Sequence, residues 1–377
     1  MFDVAIIGLG AMGSASAYHL ARAGASVIGF DRHVPPHHLG SSHGLTRMIR
    51  EAYFEHPAYV PLLQRAYALW QALEAESGRH LLELTGGLMI GPPTGELVQG
   101  CLASARAFGL AHEQLGAAQV QAQYPVFSLP DDFEAVAEPR TGFLVPEACI
   151  EAHLDLAREK GFVQHAPVEV RGWTRQVDRY RIQTNAGEYA ARKLVLCAGA
   201  WLGRLLPGLG LPLLVSAQTL FWFESDQPQA FALGQFPPFL LEAGQGAFLY
   251  GFPDSGEGVK VAIHARGPQL DPDRLSEQAF PEADLLALRE LLARYLPAAN
   301  GRLLRHAICM YTNTPDGHFL FDVHPEDPDL LLVSPCSGHG FKFSAVIGEE
   351  VAFWAQGQAS GHDLSLFALQ RPALQTS

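Results

Sequence analysis

Lysine is scarce in this 377-residue chain. Of its 26 basic residues only four are lysines, Lys160, Lys193, Lys260 and Lys342, and the rest are arginines. The formal net charge is −13 and no basic run offsets it, which argues against a nucleic-acid partner. Cysteine is sparse too. Cys101, Cys149, Cys197, Cys309 and Cys336 form no C-x-x-C pair or other metal spacing. An odd number of scattered thiols fits a reducing cytoplasm. Long apolar runs are missing: the longest, 194–217, is broken by Arg204, Pro207 and Pro212, so no membrane span is expected. No secretory leader is expected either, because the first apolar stretch starts at once after Asp3 and reads as a strand. His33, His37 and His38 surround Pro35 and Pro36, which break any helical metal face, so that stretch reads as a loop.

What is present is a hydrophobic share of 48%, enough for a sizeable core, in a length that predicts two domains or one large domain with an insertion. The first thirty residues organise it. Asp3 to Ile7 reads as a buried strand running into Gly8-Leu9-Gly10-Ala11-Met12-Gly13. A helix over 11–23 follows, stopped by Gly24, and a second strand over 26–30 ends at Asp31. Strand, G-x-G-x-x-G turn, helix, strand and terminal acid in this order point to dinucleotide binding. The glycines allow a tight turn, backbone approach to a pyrophosphate and helix–strand packing, and Asp31 sits where a carboxylate accepts ribose hydroxyls. FAD and NAD both use such a unit, so the unit alone leaves the choice open.

Further along, 40–50 is a loop rich in glycine, serine and histidine. Arg47 and Arg50 lie three apart, on one side of any helical turn that follows. Helical periodicity is expected over 59–76, 96–108 and 285–295, with strand edges at 86–92 and 142–146. A meander over 168–184 leads to the apolar strand 193–197, a return to a parallel sheet. From 214 to 265 short alternating strands separated by Pro- and Gly-rich turns predict an antiparallel sheet. In 258–265 the period of two puts Val259, Val261 and Ile263 on one face and Lys260, Ala262 and His264 on the other, with the lysine and histidine about 13 Å apart. The strand 302–312 carries Cys309. The apolar strand 330–334 enters a glycine loop, and Ser344 is the expected N-cap of a helix over 345–355.

Taken together, these segments resemble the monomeric sarcosine oxidase and N-methyltryptophan oxidase family of amine-oxidising flavoenzymes over the whole length. The motifs that carry the resemblance are Ser-His-Gly-x-Thr-Arg-x-Ile-Arg at 42–50, Tyr-Gly-Phe-Pro at 250–253, the Lys260/His264 strand, Cys-Met-Tyr-Thr at 309–312 and Ser-Gly-His-Gly-Phe-Lys-Phe-Ser at 337–344. The fold this implies is α/β: a Rossmann-like FAD-binding domain (1–80, 147–216 and 313–377) and a substrate domain with a mainly antiparallel sheet and flanking helices (81–146 and 217–312). Gly8, Gly10, Gly13, Asp31 and Arg32 would hold the adenosine half of FAD, and Ser41, Ser42 and Gly340 would also touch the cofactor. Cys309 matches the residue that bonds covalently to the flavin. His43, Thr46 and Arg47 would line its ring. Arg50 and Lys342 would clamp a substrate carboxylate, with Lys342 also close to the cofactor. Lys260 would act where oxygen is reduced, and Tyr250, His264, Tyr311 and Gly338 match positions around the bound amino acid.

The implied reaction is oxidation of a secondary α-amino acid by O₂, in a monomeric cytoplasmic enzyme. The alternatives are an N-methyltryptophan, proline or pipecolate oxidase of the same family, a flavin dehydrogenase with a different acceptor, and a nicotinamide-dependent or inactive nucleotide-binding protein. Two departures stand out: Leu45 replaces an acidic residue found in some members, and Pro335-Cys336 precedes the C-terminal glycine loop.

Overall fold

The computed structural model describes residues 1–244, 246–265 and 267–375. Five parallel strands form the first sheet's centre, in the order Val163–His165, Val27–Phe30, Phe2–Ile7, Gly187–Leu196 and Asp327–Ser334. All four residues of Val27–Phe30 are buried, as expected for a strand covered on both faces. Gly187–Leu196 is longer than the apolar run within it. Its first half pairs antiparallel with Tyr180–Thr184, completing the meander with Val170–Arg175. Its second half joins the parallel sheet beside Phe2–Ile7.

Helix Ala11–Arg22 covers this sheet and packs against Ser344–Ala355, since Gly348 has no Cβ; one would lie 2.5 Å from the Ala15 carbonyl carbon. Val60–Ser77 and Pro146–Glu159 complete the layer. Glu96–Phe108 falls where the periodicity placed it, ended by left-handed Gly109.

The second sheet has eight strands, antiparallel but for one parallel pair, Phe239–Gly244 with Gly87–Gly91. Its central strands are Leu214–Phe223, Val259–His264 and Ala247–Phe252, with Leu303–Asn313 at one edge. The alternation in Val259–His264 holds: Val259, Val261 and Ile263 join the core behind the sheet, including Leu288 and Leu292 of Glu282–Tyr295. Ala262 joins Cys309 on the opposite face, toward the first sheet.

Two local expectations are corrected. Arg47–Ile49 is a strand, paired antiparallel with Gly142–Leu144. Arg47 and Arg50 therefore diverge, because strand side chains alternate and do not recur every three residues. Ser344 is not an N-cap. A 3-10 turn, Phe341–Phe343, precedes the helix, Phe343 takes the cap position, and the buried Ser344 hydroxyl has no partner among the described residues. That turn carries Lys342 toward the second sheet, which shifts the helix start by one residue. No described helix is long and apolar enough to cross a membrane.

Candidate active site

One elongated cavity runs from the glycine turn to the second sheet. At its first end Gly8 adopts φ +92°, and a Cβ there would lie 2.4 Å from the Cys197 carbonyl oxygen. A Cβ on Gly13 would lie 1.8 Å from the Gly8 carbonyl oxygen, so Gly13 serves the packing of helix on strand. A Cβ on Gly10 would meet nothing within 4 Å. The turn is thus open on the side where backbone N–H groups and the helix start face the cavity. Asp31 accepts from Leu9 N at 2.8 Å and His33 N at 2.9 Å, tying the second strand's end across the turn. Burial works to raise its pKa, but His37 and these two N–H groups outweigh it, so the carboxylate titrates below its usual range. Arg32 lies at the rim, paired with Glu169 and Asp273.

The middle of the cavity is walled by the loop 40–47, which three charged side chains brace. Arg47 donates to the carbonyls of Ser41 (2.9 Å), His43 (2.6 Å) and Thr46 (2.8 Å). Glu147 accepts from Gly44 N at 2.7 Å and Leu45 N at 3.3 Å. Lys260 Nζ donates to Gly44 O (2.6 Å), Thr46 O (2.9 Å) and Thr46 Oγ1 (2.9 Å). Leu45 sits at φ +70°, a conformation costly for a residue with a Cβ, and these contacts on both sides hold it there.

Ser41, Ser42, Thr46 and Arg47 line the cavity; Lys260 and His43 lie behind its wall. Lys260 is buried between the rings of Phe252 (4.9 Å) and Trp222 (5.6 Å). Burial first, then Arg47, push its pKa well below that of a free lysine. Burial and Arg47 likewise hold His43 at about 3, so the ring is neutral.

Cys309 faces the cavity from Leu303–Asn313, and burial raises its thiol pKa despite Arg47 and Lys260 nearby. Beyond it, His264 Nδ1 and Tyr311 Oη are 3.2 Å apart, and Tyr250 lies on the neighbouring strand. Gly338 (φ +80°) brings the glycine loop against them, where a Cβ would lie 2.5 Å from the Tyr311 ring and 2.7 Å from His264. Gly340 allows the loop's own fold, since its Cβ would collide with the Pro335 carbonyl.

At the far end lie two buried cations, Arg50 and Lys342. Arg50 Nη2 donates to both oxygens of Glu55, at 2.9 and 2.8 Å, and Nη1 donates to Ala52 O at 3.0 Å. Its guanidinium lies over the Tyr53 ring, 4.3 Å from the centroid. Burial alone would raise Glu55, but Arg50, with His339 and Lys342, holds it at about 2. Burial, then Arg50, lower Lys342 to about 7, with Glu55 opposing. Sequence reading missed Glu55, Tyr53 and Glu147. The first two lie in an aperiodic stretch, and Glu147 opens an ordinary helix 103 residues from its partner.

The residues fit FAD at several points. Gly10 leaves room for a pyrophosphate, cationic Arg47 lines the central wall, and the buried Cys309 faces the same cavity.

A family model for FAD-dependent oxidoreductases matches residues 3–354. Monomeric sarcosine oxidase of Bacillus sp. (strain NS-129) is 40% identical over 379 residues, covering 99% of this chain and 97% of that protein. N-methyl-L-tryptophan oxidase of Yersinia pestis (strain Pestoides F) is 36% identical over 375 residues, covering 98% and 99%. Among solved structures, the fold matches NikD, an unusual amino acid oxidase essential for nikkomycin biosynthesis (TM-score 0.85, 24% identity, 97% of each chain). It also matches glycine oxidase from Geobacillus kaustophilus (TM-score 0.82, 21% identity, 98% of each chain). The chain belongs to the family of FAD-dependent oxidoreductases that includes monomeric sarcosine oxidase and N-methyl-L-tryptophan oxidase.

Proposed function

We propose that this protein is an oxidase of small secondary α-amino acids, sarcosine and its near relatives, using FAD and O₂ and releasing hydrogen peroxide. The observation that carries the reading is the pair of buried cations, Arg50 and Lys342, facing one cavity with Cys309. An acidic chain that recognises an anionic amino acid needs such local positive charge. Bound FAD would take two electrons from the C–H beside the substrate nitrogen and pass them to O₂. Arg50 and Lys342 orient the carboxylate, while the Tyr250, His264 and Tyr311 side chains enclose the amine and its alkyl group. The burial that holds His264 at about 4 keeps it neutral beside a substrate bound as the free amine. Loss of two electrons and a proton, together a hydride equivalent, from the free amine of sarcosine leaves an iminium, which water splits to formaldehyde and glycine. Segments 1–80, 147–216 and 313–377 would form the cofactor unit, and 81–146 and 217–312 the substrate unit.

The apolar wall supports a small substrate. Leu240 is buried beside Tyr250, and Phe54 packs on Phe248 with ring centroids 5.2 Å apart. The test compares sarcosine, its methyl ester and dimethylamine with peroxide detection. Turnover of sarcosine alone is expected, and equal turnover of all three would reject both the clamp and the amino-acid class. Peroxide also separates the oxidase from a dehydrogenase using another acceptor.

Covalent attachment of FAD through Cys309 belongs to the same reading. The thiol is buried and faces the cavity, and Arg47 and Lys260 nearby partly offset the burial that raises its pKa. Acid precipitation is expected to leave the yellow colour in the protein pellet. Cys309→Ser should release it to the supernatant; colour in the wild-type supernatant would reject the bond.

A further inference from the structure

Lys342 lies in a buried, ring-lined corner of the cavity, where its donors must find acceptors. Nζ donates to His339 O at 2.8 Å and to Tyr53 Oη at 3.4 Å. Tyr53 has only one proton, and His339 decides where it points. His339 Nε2 lies 3.0 Å from Gly317 O, which can only accept, so Nε2 carries the ring hydrogen. Burial, the largest effect on His339, holds its pKa at about 3, so the ring is neutral and Nδ1 is a bare lone pair. Tyr53 Oη is 2.6 Å from that lone pair and must donate to it. The lone pairs of the Tyr53 oxygen are then left for Lys342. The His339 ring is fixed between Phe319 (stacked, 4.8 Å) and the edge contact of Tyr59 (5.6 Å).

We infer that His339 and Tyr53 are positioning residues: the directed chain from Gly317 O through His339 and Tyr53 holds Lys342 aimed as a cation at the substrate carboxylate. This rests on the proposed carboxylate clamp and adds the residues that make Lys342 competent for it. The other charged or titratable groups facing Lys342 are Arg50 and Glu55 from 50–55 and His264 from Val259–His264. Arg50 disfavours the lysine's proton, and Glu55, which favours it, is largely engaged by Arg50. His264 is neutral in the range of interest. The two neutral acceptors, Tyr53 Oη and His339 O, therefore support the ammonium against the burial and the Arg50 charge that favour the neutral amine.

The experiment titrates the holoenzyme with methoxyacetate, an unreactive isostere of sarcosine, following flavin absorbance between about pH 6 and 9. Wild-type affinity is expected to fall as pH rises through the titration of Lys342, at about 7 in the empty site. In Tyr53→Phe the falling limb should move down by about one pH unit. An unmoved limb in a folded, yellow variant overturns the inference. A second measurement needs no variant. Nitrogen-15 spectra of histidine-labelled wild type should show His339 as the neutral Nε2–H tautomer throughout, and an Nδ1–H or protonated ring overturns it. Failure of the clamp itself reads differently: Lys342→Met would then leave methoxyacetate binding unchanged, while the His339 tautomer would still be as stated.

Discussion

Arg50→Ala should raise KM for sarcosine about a hundredfold or more, the largest effect expected at the substrate end of the site. The guanidinium is buried, and among the described residues lining that end it is the group that offers a planar pair of donors to a carboxylate. Its removal also strands Glu55, whose two oxygens both accept from Arg50 Nη2. An uncompensated buried carboxylate is strongly destabilising, commonly by about 3–5 kcal/mol, unless it takes up a proton. Some of the loss in Arg50→Ala would then come from Glu55 repelling the incoming carboxylate. The double variant Arg50→Ala/Glu55→Gln isolates this contribution: it should recover stability while KM stays high. Steady-state kinetics beside thermal denaturation measures both. A KM within about threefold of wild type in the folded single variant would remove Arg50 from the clamp.

Lys260→Met should slow the reaction of the reduced enzyme with O₂ by about a hundredfold or more, the usual scale for losing one preorganised charge beside developing negative charge. Lys260 lies behind the cavity wall, which adds a competing outcome. Its Nζ satisfies the carbonyls of Gly44 and Thr46 and so holds Leu45 in its left-handed conformation. A purely structural lysine would, when removed, loosen the loop and slow both halves of the reaction together. An electrostatic one would slow only the step with oxygen. Stopped-flow measurement of each half separates these outcomes, and equal losses would make Lys260 a brace for the loop. The sign with pH is also defined. Burial and Arg47 favour the neutral amine, so the oxygen rate should fall as pH rises through the lysine's lowered pKa.

Other surface ion pairs carry less weight. Arg32, between Glu169 and Asp273, is more than a third exposed, where screening leaves such pairs worth about 1 kcal/mol or less.

Much was determined by the sequence alone, wherever the cause is local. The nucleotide turn, the helix Glu96–Phe108 closed by Gly109 and the two faces of Val259–His264 follow from short-range periodicity and glycine conformation. The family resemblance also placed Arg50, Lys342, Cys309, Tyr250, Tyr311 and His264 around one cavity, because its motifs preserve residue types at fixed spacing. Tertiary structure decided what those side chains touch. Arg47 and Arg50 share no helical face because their segment pairs as a strand with Gly142–Leu144, nearly a hundred residues away. Ser344 loses its capping role to a 3-10 turn that carries Lys342 to the cavity. Lys260 lies behind the wall because the loop 40–47, which carries the buried His43, folds over it. Glu55, Glu147, Tyr53 and the tautomer of His339 have no signature in the chain. Each is set by a partner that only packing brings within hydrogen-bonding distance, and such long-range pairing is a property of the whole fold.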